Sequence, residues 1–274
     1  MNTFWFRTVM SDRPYRTCRN KTMNVTYVKI TLELSLEMSS KVPSKLSKLS
    51  KQKGKGEVQL HGKIWEVELC HVYGATSEDL KDIGYTDKMD LPANFNRLTH
   101  CNLSIKSTCS KNAVCMADCL RLYDAVSSGT PLHMVVIHYK HDDTTNTKNV
   151  VSIVEVDLTS SHNELFGSLT RSQLESLDKT VKLVPQKRKP TPQEHQDFYS
   201  IRDSLQEFSG AIHLDIKCNS SQSRVQCSFN RFQEFLEQHP ERIVAQSNTN
   251  AFRGGTLSSL KSSRRVFKKK EHSV

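Results

Sequence analysis

The 274-residue chain lacks the features that mark several large classes of protein. No run of apolar residues approaches the roughly 20 that a membrane-spanning helix requires. Residues 1–7 are not followed by a continuous apolar segment with a small-residue cleavage site, so we expect no secretory signal peptide. These absences predict a soluble intracellular protein of the cytoplasm or nucleus.

Cysteines at the spacing of common metal or redox motifs are also missing. None of the eight cysteines forms a Cys-x-x-Cys pair. A disulfide framework is not expected in a chain of this length without a secretory signal. Cys115 and Cys119 lie four residues apart on an expected helix, which favours small apolar core residues over a zinc site.

Several short catalytic motifs are absent as well. The sequence contains no Gly-rich phosphate loop, no dinucleotide-binding fingerprint, no Gly-x-Ser-x-Gly elbow and no His-Glu-x-x-His pair. His133, His138 and His141 surround one expected strand, but their spacing gives only weak support for a metal site. The common nucleotide-binding and hydrolase classes are therefore disfavoured.

Positive charge is concentrated at the two ends of the chain. The whole chain has 39 Lys+Arg and 29 Asp+Glu; residues 1–56 contain 12 and 3, and residues 247–274 contain 7 and 1. The middle therefore keeps 20 basic and 25 acidic residues and is mildly acidic. Basic arms suit phosphate contacts with nucleic acid, an anionic membrane being a second option and solvated tails a third.

Composition and hydrophobic periodicity divide the chain into three parts. Residues 1–56 form a basic N-terminal extension, with an expected strand at 24–37 and a Ser/Lys-rich linker at 39–56. Residues 57–246 carry the patterns of one mixed α/β domain. Residues 247–274 are expected to be a basic disordered tail.

The middle part begins with the order helix, strand, strand, helix, strand, and ends with a hairpin and helices. The expected helices are 57–73, 113–126, 171–184, 193–208 and 231–238. The expected strands are 88–92, 102–108, 133–139, 150–156 and the hairpin of 211–217 with 224–230.

A group of polar residues falls where these elements would meet. Asp90 ends one expected strand, and Ser104 and Lys106 stand two residues apart on the next, so their side chains share a face. Glu66 and Glu68 lie on the preceding helix. Glu68 interrupts an apolar arc, where an unpaired carboxylate is costly to bury, but the sequence does not decide between the two glutamates. Carboxylates beside a lysine can hold a metal ion and an attacking water, which is what phosphodiester hydrolysis requires.

This arrangement resembles the PD-(D/E)xK nucleases, in particular the type II restriction endonucleases of bacteria and large DNA viruses. The stretches that carry the resemblance are residues 62–66, 88–92, 103–108 and 114–121, with 224–229 as a later segment. The resemblance covers about residues 57–245 and excludes both arms. It implies a restriction-endonuclease-like core that cuts double-stranded DNA at a short specific sequence, with Mg²⁺ as cofactor, no membrane, and a homodimer or transient pair as the working form.

The resemblance also implies roles for individual residues. Asp90 would be a metal ligand, Lys106 the catalytic lysine, and Glu66 or Glu68 the helix carboxylate that also binds the metal. Ser104 departs from the family pattern, which has Glu, Asp or a neutral amide there, because a hydroxyl is a weak Mg²⁺ ligand. The alternative is a catalytically inactive DNA-binding or structural protein on the same fold.

The sequence also allows a plainer interpretation, in which the same residues have no catalytic role. Residues 90–92 would then form only a turn, and Lys106 would be a solvated strand residue. Glu68 would pair with a nearby lysine. The deciding feature is whether Asp90, Lys106 and a helix glutamate converge.

Overall fold

The computed structural model describes residues 56–83, 89–185, 188–219 and 222–262. The expected strand at 24–37, nearly all of the linker and the last twelve residues lie outside this part of the chain. The described residues form a mixed α/β fold, which confirms the predicted class. No helix in these ranges is both long and apolar enough to cross a membrane.

Helices and strands alternate irregularly along the chain. The helices are α1 (Gly56–Val72), α2 (Asp79–Asp82), α3 (Cys119–Ser127), α4 (His162–Phe166), α5 (Arg171–Lys182), α6 (Pro192–Gln206), α7 (Phe232–Gln238) and a 3₁₀ turn (Pro240–Arg242). The strands are β1 (Asn102–Thr108), β2 (Val114–Asp118), β3 (Leu132–Asp142), β4 (Thr147–Asp157), β5 (Ile212–Asn219), β6 (Gln222–Phe229), β7 (Ile243–Ser247), β8 (Ala251–Phe252), β9 (Gly255–Thr256) and β10 (Leu260–Lys261). Most predicted elements are therefore confirmed, with ends that move by a few residues.

The main sheet is mixed and has five strands. Its order is β1-β3-β4-β10, with β7 also pairing with β4. The β1–β3 pair is parallel, since β2 and α3 carry the chain back between them, whereas β3 and β4 form an antiparallel hairpin. β1 is thus an outer strand of this sheet. A smaller sheet of order β2-β6-β5 and the two-stranded β8–β9 ribbon complete the strands.

Both faces of the main sheet are buried, as the apolar run in β3 predicts. Met134 and Val136 pack into a core with β2, β5, β6, α5 and α7, whereas Val135 and Ile137 pack into a second core with α1. All four side chains are at most 1% exposed. The second core is the one that positions the candidate site, because it anchors α1 against β1.

The prediction of one helix over residues 113–126 is wrong in its first half. Val114–Asp118 is strand β2, in which Val114 and Met116 are buried and Cys115 is exposed, a period of two. Asp118 ends the strand and caps α3, since its side chain accepts a hydrogen bond from Arg121 N. Cys115 and Cys119 therefore do not share a helix.

The predicted disordered tail is wrong for residues 247–262. This stretch forms β8, β9 and β10, and β10 pairs with β4. Phe252, Leu257 and Leu260 are buried in the second core, so three apolar residues in a basic segment suffice to dock it.

The short strand expected at residues 88–92 is reduced to a single bridge. Leu91 pairs with Leu103 of β1 in antiparallel fashion. Leu91 is fully buried, while Met89 and Asp90 before it adopt a bend. Residue 88 lies outside the described residues.

Candidate metal and phosphate site

Helix α1 crosses close over the end of β1. Trp65 and Leu69 are fully buried against the sheet, and Trp65 Nε1 donates a hydrogen bond of 2.8 Å to Ser258 O. A Cβ atom built on Gly62 would lie 3.4 Å from Ser107 Oγ, so the helix and the strand are in contact at this point. The neighbouring turn of α1, which carries Glu66, is thereby held near the outer edge of β1.

The segment before the bridge lies along the same free edge of β1. Asp90 N and Leu91 N both donate to Leu103 O, at 3.0 and 3.2 Å, and Leu103 N donates to Leu91 O at 2.8 Å. These bonds fix the backbone of Asp90 beside the strand that carries Ser104 and Lys106. The plainer interpretation of a free turn is therefore not what the geometry shows.

The carboxylate of Asp90 is held by three donors from β1. Its Oδ2 accepts hydrogen bonds from Ile105 N at 2.6 Å, from Lys106 Nζ at 3.1 Å and, more weakly, from Ser104 Oγ at 3.5 Å. Every described donor reaches the same oxygen. No hydrogen bond from a described residue is seen at the other oxygen of Asp90, and the side chain is 29% exposed.

Lys106 is a partly buried lysine with its charge at the strand edge. Its side chain is 19% exposed, and Nζ contacts both Asp90 Oδ2 and, at 3.2 Å, Ile105 O. Ile105 itself points the other way and is 8% exposed in the core with Trp65. Ser104 and Lys106 therefore share the face opposite Ile105, as the two-residue spacing predicts.

Glu66 supplies a second carboxylate from α1. Its side chain is 19% exposed and forms an ion pair with Lys63. Burial raises the pKa of Glu66, and the negative charge of Asp90 raises it further, while Lys63 and Lys106 oppose this rise. The negative charge of Asp90 thus reaches Glu66 and disfavours the ionisation of Glu66.

Glu68 points away from this group. Its Oε2 accepts a hydrogen bond of 3.0 Å from Ser258 N, next to the Trp65 contact with Ser258 O. Glu68 therefore ties α1 to the C-terminal segment. The charges of Asp90 and Lys106 act on Glu66, whereas the described contact of Glu68 is with the C-terminal segment.

Sequence reasoning missed three groups at this site. Lys63 neutralises part of Glu66, the Ile105 amide holds Asp90, and Cys70 Sγ lies 3.8 Å from Asp90 O. Burial raises the pKa of Cys70 to about 12, helped by the charges of Glu66 and Asp90, so the thiol stays protonated. The three-residue spacing of Lys63 and Glu66 on a helix is the one signal that could have pointed to a partner in advance.

No group of three or more His, Cys, Asp or Glu side chains suited to a metal occurs in the described ranges. Mg²⁺ is commonly held by one or two carboxylates together with water and substrate phosphate oxygens. Asp90 and Glu66 could supply two such carboxylates, with the Ser104 hydroxyl as a weak third oxygen.

A groove adjoins the site at Met89. It has a volume of about 390 Å³ and runs between the start of β1 and α3, with Asn102, Arg121 and Asp124 among its lining residues. Arg121 is exposed there. The groove thus has one positive and one negative side chain in its lining, and Asp90 itself is not part of that lining.

The three histidines around β3 do not converge on a metal. His133 Nδ1 lies 2.7 Å from Glu155 Oε1, His138 Nδ1 lies 3.0 Å from Ser110 O, and His141 Nε2 lies 3.2 Å from Asp143 Oδ1. Each ring therefore has a separate local partner.

Comparison with protein-family models, curated proteins and solved structures finds no significant match to this chain. The resemblance to the PD-(D/E)xK nucleases, including the restriction-endonuclease-like core, accordingly stays a prediction. The structure describes the local contacts of four residues, Glu66, Asp90, Ser104 and Lys106. We call this group of residues the edge site.

Proposed function

We propose that the edge site hydrolyses phosphodiester bonds in double-stranded DNA, with Mg²⁺ as cofactor. The observation that carries the proposal is the contact of Lys106 Nζ with Asp90 Oδ2 at 3.1 Å, together with the effect of both charges on the carboxylate of Glu66. These are three of the residues to which the family resemblance assigns roles.

The charges of the edge site suit an anionic substrate. Asp90 and Glu66 are balanced by Lys63 and Lys106, so these four side chains sum to zero before a cation binds. A divalent ion then leaves the site with net positive charge, in keeping with a phosphate group. The basic segments at both ends of the chain would add sequence-independent, salt-sensitive contacts with the DNA backbone.

The location also suits a large substrate. β1 is an outer strand of the main sheet, and Asp90 is 29% exposed at its edge rather than enclosed in a cavity. A duplex can approach such an edge, whereas it cannot enter a small pocket. We further propose that the protein cuts at a short specific sequence and acts as a homodimer or transient pair, following the family resemblance.

Asp90 and Glu66 would hold the metal, and Lys106 would act beside it. A bound ion would supply Lewis-acid stabilisation of the phosphate charge and would make a nearby water more acidic. Lys106 Nζ, once its hydrogen bond with Asp90 is exchanged for the substrate, donates to a non-bridging phosphate oxygen or orients the water. The Ile105 amide keeps Asp90 in place during this exchange.

One observation favours a second candidate, a DNA-binding protein without activity. Ser104 occupies the position of a family carboxylate, and it only contributes a 3.5 Å contact to Asp90. A site with two carboxylates binds the ion less tightly than one with three. The fold would then bind DNA through its basic segments alone.

A plasmid cleavage assay separates the two candidates. Purified full-length protein is incubated with supercoiled plasmid in Mg²⁺ or Mn²⁺, with EDTA as the metal-free control. We expect discrete cleavage products that EDTA abolishes and that Lys106→Ala reduces by about 100-fold or more, the range seen when a group that stabilises transition-state charge is removed.

Lys140→Ala is the matched control, because Lys140 is an exposed lysine on β3. It should cleave as the unmodified protein does. Salt-sensitive DNA binding with no cleavage in either metal would instead support the inactive candidate, and cleavage that survives Lys106→Ala would remove the edge site from the reaction.

A further inference from the structure

The groove at Met89 is walled on one side by helix α3. Four of its lining residues stand three or four positions apart on that helix and so share one face of it: Arg121, Asp124, Ala125 and Ser128. The groove volume of about 390 Å³ falls within the range of roughly 300–1,000 Å³ that is usual for ligand pockets. The groove therefore has room for one nucleotide of a bound strand.

The charges around the groove leave one cation in excess. Asp124, the acid of the lining, is held by Arg171, whose Nε and Nη2 lie 2.7 and 3.2 Å from its two carboxylate oxygens. Arg171 also pairs with Glu175, and Glu175 pairs with Lys179, so these four charges cancel. The charge of Arg121 remains, which makes the groove positive and suits it to an anionic group.

The guanidinium of Arg121 is available for such a group. Arg121 is exposed, and none of the ion pairs among the described residues includes it. The acid closest to it in sequence, Asp118, instead accepts a hydrogen bond of 3.0 Å from the backbone N of Arg121. A guanidinium offers several N–H donors in a planar fork that matches the oxygens of a phosphate.

Two further lining residues can donate hydrogen bonds to a ligand. Asn102 Oδ1 accepts a hydrogen bond of 3.0 Å from Ala93 N, so the amide has its amino group left for the groove. Thr130 adds a hydroxyl, and no partner of this hydroxyl is seen among the described residues. The hydroxyl of Ser128, by contrast, already donates to Ala125 O at 2.8 Å. The unused polar groups of the groove can therefore all donate, as a ligand rich in acceptor oxygens requires.

Strand β1 connects the groove to the edge site. Asn102, Ser104 and Lys106 alternate with buried residues and so share one face of β1. Two residues of a strand advance about 7 Å, and successive nucleotides advance about 3.4 Å along a duplex. The groove thus lies about two nucleotides from Ser104. Met89, another lining residue, directly precedes Asp90 in the chain.

We propose that the groove binds a phosphate of the same DNA strand that lies in the edge site, about two nucleotides away, with Arg121 as its main partner. Asn102 and Thr130 donate to the same nucleotide. The identity of the ligand rests on the proposed function. The groove adds a second contact, which fixes the position of the strand without reading its sequence.

A phosphate contact has a measurable signature in salt. Each phosphate that a protein neutralises releases counterions, so it steepens the fall of log K with log salt concentration by about 0.9. Removing the Arg121 charge should therefore weaken the binding of any duplex sequence and make that binding less sensitive to salt.

Binding of duplex DNA in EDTA tests the groove in the absence of metal-dependent cleavage. The affinity of the full-length protein for a fluorescent duplex is measured by anisotropy at several salt concentrations. We expect Arg121→Ala to weaken binding about tenfold, which is the order of one charged hydrogen bond. The salt slope should fall by about 0.9. Arg121→Lys, which keeps the charge, should keep the slope.

Arg231→Ala is the matched control, because the Arg231 side chain is 78% exposed and lies outside this groove. It should leave the affinity and the salt slope unchanged. An Arg121→Ala variant with the affinity and slope of the unmodified protein overturns the proposal, as does a change no larger than that in Arg231→Ala.

The plasmid assay judges the nuclease proposal separately. DNA binding that depends on Arg121, without cleavage in Mg²⁺ or Mn²⁺, supports the groove as a DNA contact and removes the catalytic role of the edge site. Cleavage by the unmodified protein, together with an Arg121→Ala variant that binds and cuts normally, removes the groove alone.

Discussion

Two glutamates near the main sheet have pKa values that are shifted in opposite directions. Glu155 on β4 is fully buried, yet its carboxylate is satisfied on both oxygens, by His133 at 2.7 Å and by Arg253 Nε at 2.5 Å. Burial alone would raise its pKa, but these partners outweigh it and lower the pKa. Glu66 on α1 is less deeply buried, and its pKa is raised. Depth of burial therefore does not decide the state of a carboxylate; its partners do.

Under the proposed function, Glu155 stabilises the fold, whereas Glu66 would bind a cation. Glu155, with its two cations, joins β3, β4 and the β8–β9 ribbon, which is a stabilising task. Glu66 stands near a second carboxylate with too few donors, which is unfavourable for folding unless a cation binds. Carboxylates held in such a state cluster at functional sites. The predictions below test whether the two glutamates really divide in this way.

The largest effect is expected at Glu155. Removing one partner from a buried ion pair leaves the other charges without compensation and costs about 3–5 kcal/mol. We expect Glu155→Gln to lower the free energy of unfolding by that amount in urea titrations. Glu68→Gln, which loses only one contact with Ser258 N, should cost less than about 1 kcal/mol. Equal losses in the two variants would show that the Glu155 contacts do not carry the stability.

The raised pKa of His133 predicts that the stability of the fold depends on pH. Its folded pKa of about 9 lies above its ordinary value of 6.5. A raised pKa for a cationic group means that its contribution to stability is complete below about pH 6.5 and is lost as the pH rises through about 9. The loss should be on the order of 3 kcal/mol between these limits. Unfolding measured at several pH values should show it, and His133→Gln should flatten the curve; an unchanged slope in that variant would contradict the assignment.

Position 104 has a serine where the resembled family has an acid, so a substitution there is predicted to strengthen metal binding. Ser104 Oγ lies 3.5 Å from Asp90 Oδ2, so an aspartate there would bring a third carboxylate to the edge site. We expect Ser104→Asp to tighten Mg²⁺ binding about tenfold, equal to about 1.4 kcal/mol. Ser172→Asp is the control, since Ser172 is an exposed serine on α5. Isothermal titration calorimetry would measure both variants, and equal affinities would mean that position 104 does not face the metal.

The smallest expected change in the free energy of unfolding is at Glu66, and its sign is opposite to that at Glu155. Glu66→Gln removes a charge that burial and Asp90 both oppose, so it should raise the free energy of unfolding by about 1 kcal/mol at pH 7. The gain should shrink as the pH falls, because the raised pKa of Glu66 means that the unmodified carboxylate becomes neutral first in the folded state. A destabilised Glu66→Gln variant would show that the Lys63 ion pair, rather than repulsion, dominates.

Local sequence patterns predicted most of the main elements, and the reasons are physical. The apolar run of β3 requires a strand that is buried on both faces, and the i, i+2 spacing of Ser104 and Lys106 requires a shared face. The error at residues 113–126 arose because β2 passes into α3 without a loop, so a period of two merged with a helical period. Asp118, a typical N-cap residue, marks the change and was overlooked.

The features that the sequence did not predict depend on contacts between residues that are far apart in the chain. The choice between Glu66 and Glu68 depends on Ser258, which is 190 residues further along the chain from Glu68. The docking of residues 247–262 likewise depends on α1 and β4. The local sequence of this basic segment does not indicate that it packs against them.

Metal binding at the edge site is the central claim, and it can be measured without knowing the DNA target. Mn²⁺ is titrated calorimetrically into the full-length protein and into the variants Asp90→Asn, Glu66→Gln and Glu68→Gln. We expect one site in the unmodified protein that is lost in Asp90→Asn, lost or strongly weakened in Glu66→Gln, and kept in Glu68→Gln. No binding, or binding that survives Asp90→Asn, would contradict it.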